Sequence, residues 1–195
     1  NYAHGKGIDV WAVVDNINMK CNLHEVLKST AQRDNLITNL VADCKRFDVD
    51  GLNVDFEQVS PETGRHYIQF IRELSVACHA NNLILSVDNY VPTAYTAFYD
   101  REEQGRYADY VIIMGYDEHF AGSLEAGSVS SYNFVKEGIE NTRNDIRDIG
   151  TQGTEARTQT DNLAKERDEN AAQWRNDHKK RSGIILDAVE GAEWE

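Results

Sequence analysis

Two carboxylates and an amide recur at every second position in Asn53, Asp55 and Glu57, with Leu52, Val54 and Phe56 between them. Successive side chains of a β-strand take opposite faces, so the polar three share one face and the apolar three the other. Same-face neighbours then stand about 6.5–7 Å apart. Charges on a strand whose other face is fully apolar must find partners or shift their pKa. A strand needing only stability would carry Val or Ile there, so the row reads as an active-site ladder. A general acid working near neutral pH needs a raised pKa, and a neighbouring carboxylate supplies that pressure. Such a pair titrates as a unit. A calcium loop fits poorly: an EF-hand has Gly sixth and Glu twelfth, whereas counting from Asp48, Gly51 is fourth and Glu57 tenth. An edge strand with one wet, acidic face stays open on the alternation alone.

A second group with chemical capacity is Met114-Gly115-Tyr116-Asp117. Met114 and Tyr116 share a strand face, where they either line a pocket or pack in a core. Tyr90 and Trp11 offer rings for a stacking wall or for the core. Asn16 and Asn89 fall at strand ends and are candidate pocket residues, and His119 reads as a loop residue rather than a ligand.

These residues need elements to hold them. Gly7 to Asn16 is a short apolar run typical of a strand covered on both faces. A polar connector follows, and Leu36, Ile37, Leu40, Val41, Cys44 and Phe47 then give the spacing of a helix over about 30–46. The ladder strand ends near Glu57. Ser60-Pro61-Glu62 is a helix start, with Tyr67, Ile71, Leu74 and Cys78 on one face and a stop at Asn81-Asn82. Leu83–Tyr90 and Tyr110–Tyr116 are further strands, separated by a loop and short helix over 94–106, and 130–141 is helical with Phe134, Val135, Gly138 and Ile139 inward. Alternating strands and helices predict parallel βα units. Their right-handed crossovers bring the strand C-termini to one end, where loops carry function. Glu57, Tyr90 and Tyr116-Asp117 all fall there.

The 195 residues, 41% hydrophobic, suffice for one domain with a substantial core. A net charge of −13 disfavours nucleic acid and anionic membrane surfaces and suits a neutral substrate. No apolar run approaches the roughly 20 residues of a membrane span. Cys21, Cys44 and Cys78 form no CxxC pair and read as free thiols. Beyond residue 142 the character changes: residues 143–195 hold nine Lys/Arg and twelve Asp/Glu. This divergent charged tail is expected to hold a solvated helix over 160–180 and a short strand over 183–189, against a folded segment over 1–142.

Asp50-Gly51-Leu52-Asn53-Val54-Asp55-Phe56-Glu57 resembles the DGxDxDxE signature of the family-18 glycoside hydrolases, and Met114-Gly115-Tyr116-Asp117 resembles that family's MxYD motif. The stretches SVDNYVPTAYTAFYD and IIMGYDEHFAGS are similar to the family's bacterial cell-wall and spore-cortex branch. The resemblance covers about 5–142. It implies a (β/α)8 TIM-type barrel with its site at the C-terminal face, incomplete here, since the strands correspond to the third through sixth of the family's eight. The chain is therefore expected to be a fragment, or else the tail patches the opening. The resemblance further implies retaining hydrolysis of a β-linked N-acetylglucosamine glycan, peptidoglycan or chitin, with the substrate's own acetamido group as nucleophile. Glu57 would be acid and base, Asp55 would orient the acetamido N–H, Tyr116 would donate to the acetamido oxygen, and Asp117 would contact the sugar or steady the site. Asn53, where the family most often has Asp, joins Met114, Asn16 and Tyr90 as substrate-binding candidates. No cofactor, metal, nucleic-acid partner or membrane insertion is implied, and the sequence itself leaves the setting open, the resemblance alone suggesting a secreted, cell-wall or spore-associated one. A catalytically impaired glycan-binding remnant is the alternative.

Overall fold

The computed structural model describes residues 2–17, 20–57 and 59–147. The expected helix over 160–180, the expected strand over 183–189 and most of the charged tail lie outside the described residues. The chain divides into two units. In one, the described part is a 3-10 turn at His4–Lys6, ended by Gly7 in the left-handed region. The other, running from Trp11 to Ile149, carries everything below.

Four strands, β1 (Trp11–Asp15), β2 (Gly51–Asp55), β3 (Ile84–Tyr90) and β4 (Tyr110–Met114), form one parallel sheet in chain order. Helices connect them: α1 (Leu23–Lys28) and α2 (Thr30–Phe47) after β1, α3 (Gly64–Ala80) after β2, and a 3-10 helix (Ala94–Tyr99) with α4 (Arg101–Tyr107) after β3. α5 (Tyr132–Arg147) follows β4 and runs past residue 142.

The polar connector after β1 is not all loop. Its short helix α1 starts where the Asn22 side chain accepts hydrogen bonds from the backbone N–H groups of His24 and Glu25, satisfying donors that a helix start leaves free. Leu27 is its buried anchor. α3 starts later than Ser60-Pro61-Glu62 suggests: those residues make a turn in which the Ser60 carbonyl and hydroxyl both accept from Thr63 N–H, and the helix begins at Gly64.

The core lies between one face of the sheet and the helices. Leu52, Val54 and Phe56 of the ladder segment and Leu85 and Val87 of β3 meet Ile37, Val41 and Cys44 of α2 and Tyr67, Phe70, Ile71, Leu74 and Cys78 of α3. Phe56 stacks on Phe70 with ring planes 8° apart. The expected inward face of α3 is buried throughout, whereas Phe47, at the end of α2, is exposed beneath the Arg46 guanidinium.

The other face is concave. In a flat sheet β1 and β4 would stand about 14 Å apart, yet the rings of Trp11 and Tyr110, from these two edge strands, have centroids 5.2 Å apart. Gly51 makes room: a Cβ there would lie 2.9 Å from Trp11 Cδ1 and 2.9 Å from the Ile84 carbonyl oxygen. The covering expected on both faces of β1 holds on the helix side alone, since concave-face Val13 is 63% exposed, and Ile112 on the same face of β4 is 40% exposed. Trp11, at the start of β1, belongs to this ring pair at the end of the sheet opposite Glu57, not to a wall beside it. A curled run of parallel strands with helices outside is an arc of a (β/α)8 barrel.

Candidate active site

Strand register arranges the concave face in levels. Val13, Asn53, Ser86 and Tyr110 stand abreast on β1 to β4. Above them Asp15 faces Asp55, and Asp88 comes one step beyond the Val54–Val87 pair, with Ile112 beside it. Higher still, Glu57 lies two residues past β2, next to Tyr90 and Met114, which pair in register. Neighbouring strands lie about 4.8 Å apart, so three aspartates stand in a row across β1, β2 and β3. Among the described residues, no group of three or more His, Cys, Asp or Glu is placed to hold a metal ion.

Glu57 is held from several sides. Its backbone N–H donates to Asn16 Oδ1 at 3.0 Å. The buried Tyr99 hydroxyl lies 2.8 Å from the Phe56 carbonyl oxygen and 2.9 Å from that of Glu57, donating to one at a time. The Tyr90 hydroxyl donates at 3.0 Å to carboxylate Oε2. Burial, then its bond to Glu57, pushes the Tyr90 phenol above its ordinary pKa, so it stays a donor.

The ladder is cross-braced by β3. Asn53 Nδ2 donates to Ser86 Oγ at 2.9 Å and to Asp88 Oδ1 at 3.0 Å. Burial raises the pKa of Asp55, and the charges of Asp88, Glu57 and Asp15 add to the shift. Burial also raises Asp88, with the bond from Asn53 opposing and Glu57 assisting. Asp55 Oδ1 is buried with no hydrogen-bond partner among the described residues, a costly condition that a proton or an incoming N–H would relieve. Tyr116, beyond β4, is 51% exposed. Partial burial raises its phenol pKa, and the charges of Glu57, Asp55, Asp117 and Asp88 add to that, so it stands within electrostatic reach of the same acidic cluster. β3 lies between the strands leading to Glu57 and Tyr116.

Of the residues singled out from the sequence, Asn16, Asn53, Asp55, Glu57, Tyr90, Met114 and Tyr116 therefore converge. Asp117 is exposed next to Tyr116, at φ 61. Asn89 does not converge: it shares its strand face with Leu85 and Val87, points to the helices and pairs with Gln104 at 2.6 Å. Asp88 was missed. Its signal was the alternation Ser86, Asp88, Tyr90, legible once Asn89 is assigned to the outer face.

Paired carboxylates at the C-terminal ends of strands in a barrel arc define the class of polar, acid-lined sites suited to acid–base work on a neutral substrate. The family model for glycosyl hydrolases family 18 matches residues 3–180, and the chain belongs to that family. The uncharacterized glycosylase YvbX of Bacillus subtilis (strain 168) is 30% identical over 151 residues, which are 71% of this chain and 44% of YvbX. The chain thus spans less than half the length of that relative. Among solved structures, a chitinase from Chromobacterium violaceum superposes with a TM-score of 0.67 at 26% identity, covering 75% of this chain and 49% of that one. The spore cortex-lytic enzyme SleL of Bacillus megaterium shares the fold, with a TM-score of 0.65 at 21% identity over 74% of this chain and 35% of that one.

Proposed function

We propose that this site hydrolyses β-linked N-acetylglucosamine glycan of the peptidoglycan or chitin type, with retention of configuration and the substrate's acetamido group as nucleophile. The observation that carries the reading is the shared environment of Glu57, Asp55 and Tyr116 at one end of the concave face.

Glu57 is the acid and base. Tyr90 occupies Oε2, which leaves Oε1 to deliver the proton to the glycosidic oxygen and later to take one from water. The contacts from Asn16 and Tyr99 fix the backbone beneath it, so little positional freedom is lost during reaction. Asp55 presents its unpartnered Oδ1 to the acetamido N–H, turning the acetamido oxygen toward the anomeric carbon. Its negative charge supports the oxazolinium that forms. Tyr116, kept protonated by partial burial and then by the nearby acids, donates to the acetamido oxygen and holds it in line. Asn53, Met114, Asn16 and Asp117 shape and steady the pocket around the sugar.

A chromogenic N-acetylglucosamine oligomer tests this. The expected result is turnover with the β-anomer released first, as read by NMR, and loss of about 10³-fold or more in Glu57→Gln. Binding without turnover, or turnover indifferent to Glu57→Gln, would overturn it; the first outcome is that of a glycan-binding remnant.

A further inference from the structure

We infer that Asp88 is the positioning carboxylate of Asp55: the two stand side by side on β2 and β3, share one proton in the resting site, and are held by the Asn53 amide that donates to Asp88. The inference rests on the proposed hydrolytic reading for its catalytic meaning but not for its test.

The geometry has three parts. First, register sets Asp88 abreast of Asp55 on the concave face, one step past the Val54–Val87 pair. Second, Asn53 spends its amide N–H donors on Ser86 and Asp88, both on β3. It gives neither to Asp55, so the amide fixes Asp88 and leaves Asp55 without that neighbour's help. Third, Asp55 Oδ1 is buried and unpartnered among the described residues. An ionised carboxylate in that condition beside a second one costs more than a pair that retains a proton. The carboxylate that a DGxDxDxE ladder would carry at position 53 is thus supplied here from the adjacent strand, with the amide taking the bracing role.

The titratable groups near this pair are all acids or phenols. Asp15 comes from β1, Glu57 from the end of β2, Tyr90 from β3 and Tyr116 from beyond β4, while Tyr67 and Tyr99 stand on the helix side. No described cation is among them to hold both aspartates ionised. Burial first, and then these neighbouring acids, raise the pKa of both carboxyls.

When the acetamido N–H arrives at Asp55 Oδ1, the shared proton shifts toward Asp88. Asp55 then faces the developing oxazolinium as an anion, and no proton leaves or enters the pair. Asp88 touches no substrate; it sets the charge state of the residue that does.

The test is a pH titration of the aspartate carboxyl carbons by NMR in three proteins: the unmodified chain, Asp88→Asn, and Asp88→Asn with Asn53→Asp. In the unmodified chain Asp55 and Asp88 are expected to titrate as a coupled pair, the first proton binding above the ordinary aspartate range. In Asp88→Asn the Asp55 midpoint falls toward that range, and the double variant, with the carboxylate returned to β2, raises it again. Turnover, where present, follows the same order: kcat falls about tenfold in Asp88→Asn, the equivalent of one pK unit of charge interaction, with KM within about twofold, and recovers in the double variant. A merely structural Asp88 would lower the melting temperature without moving the Asp55 midpoint and without rescue. Independent titration of the two aspartates in the unmodified chain overturns the pairing even if neither variant folds. Absence of hydrolysis in the unmodified chain removes the hydrolytic reading alone, because the titration still decides the pair.

Discussion

Tyr99 and Tyr67 are both buried and meet edge to face, ring centroids 5.6 Å apart, yet the same one-atom deletion in each is expected to act with opposite sign. The Tyr99 hydroxyl reaches the carbonyl oxygens of Phe56 and Glu57 at 2.8 and 2.9 Å. Removing it leaves a buried carbonyl short of a donor, a loss of about 1–3 kcal/mol. The Tyr67 hydroxyl is buried with no partner among the described residues. Burying an unpaired hydroxyl costs about 1–3 kcal/mol, part of which Tyr67→Phe returns. At about 2–4 °C per kcal/mol for a chain of this size, Tyr99→Phe lowers the melting temperature by about 2–12 °C and Tyr67→Phe raises it by about 2–4 °C. Tyr99 also anchors the backbone that presents Glu57, so its loss lowers kcat by about tenfold or more while KM stays near its original value. Tyr67→Phe leaves kcat unchanged. Thermal melts by circular dichroism and kinetics on one glycan oligomer read both effects. Equal shifts of the same sign in the two variants, or a Tyr99→Phe protein as stable and active as its parent, would show that the hydroxyl does not hold the Glu57 segment.

Other consequences can be checked singly. The Arg33 guanidinium is buried, donates to both Glu73 carboxylate oxygens at 2.8 and 2.9 Å and also bonds the Leu27 carbonyl. Glu73→Ala strands that charge and is expected to cost about 3 kcal/mol in chemical denaturation, whereas the paired change to Met at 33 and Leu at 73 costs far less. His79 lies 3.1 Å from both Asp109 oxygens, and that hydrogen bond raises its pKa against the opposing pull of burial. Its contribution to stability is complete below the unfolded histidine pKa of about 6.5 and is lost as pH rises through the higher folded value. Melting temperature should therefore decline across that interval, and His79→Asn should remove the decline. Burial pushes the thiols of Cys44 and Cys78 up, the latter to about 12, while Cys21 is exposed. A thiol reagent at neutral pH should modify Cys21 alone in the folded chain and all three cysteines after denaturation.

The ladder was legible because period-two alternation is a local signal and Leu52, Val54 and Phe56 leave one choice of buried face. β3 was harder. Asp88, Asn89 and Tyr90 are three consecutive polar or amphipathic residues, so alternation alone does not say which belongs with the ladder. Pairing of Ser86 with Asn53 decides it, and that is a contact across 33 positions. The short helix α1 hid for a different reason: six residues with one fully buried side chain give too little periodicity, although its capping residue Asn22 was in plain sight. Exposure of Val13 and Ile112 was equally unreadable, since an apolar run looks the same whether or not a neighbour covers it.

The ring pair of Trp11 and Tyr110 spans the hollow like a tie rod between the outermost staves, seated over a residue with no side chain. It lies at the strand beginnings, Tyr110 one level below the row of aspartates and Trp11 one level lower still. Bend and chemistry are consequently set at opposite ends of the same four strands. Loops around Glu57 and Tyr116 can be rewritten while the arc beneath them keeps its radius.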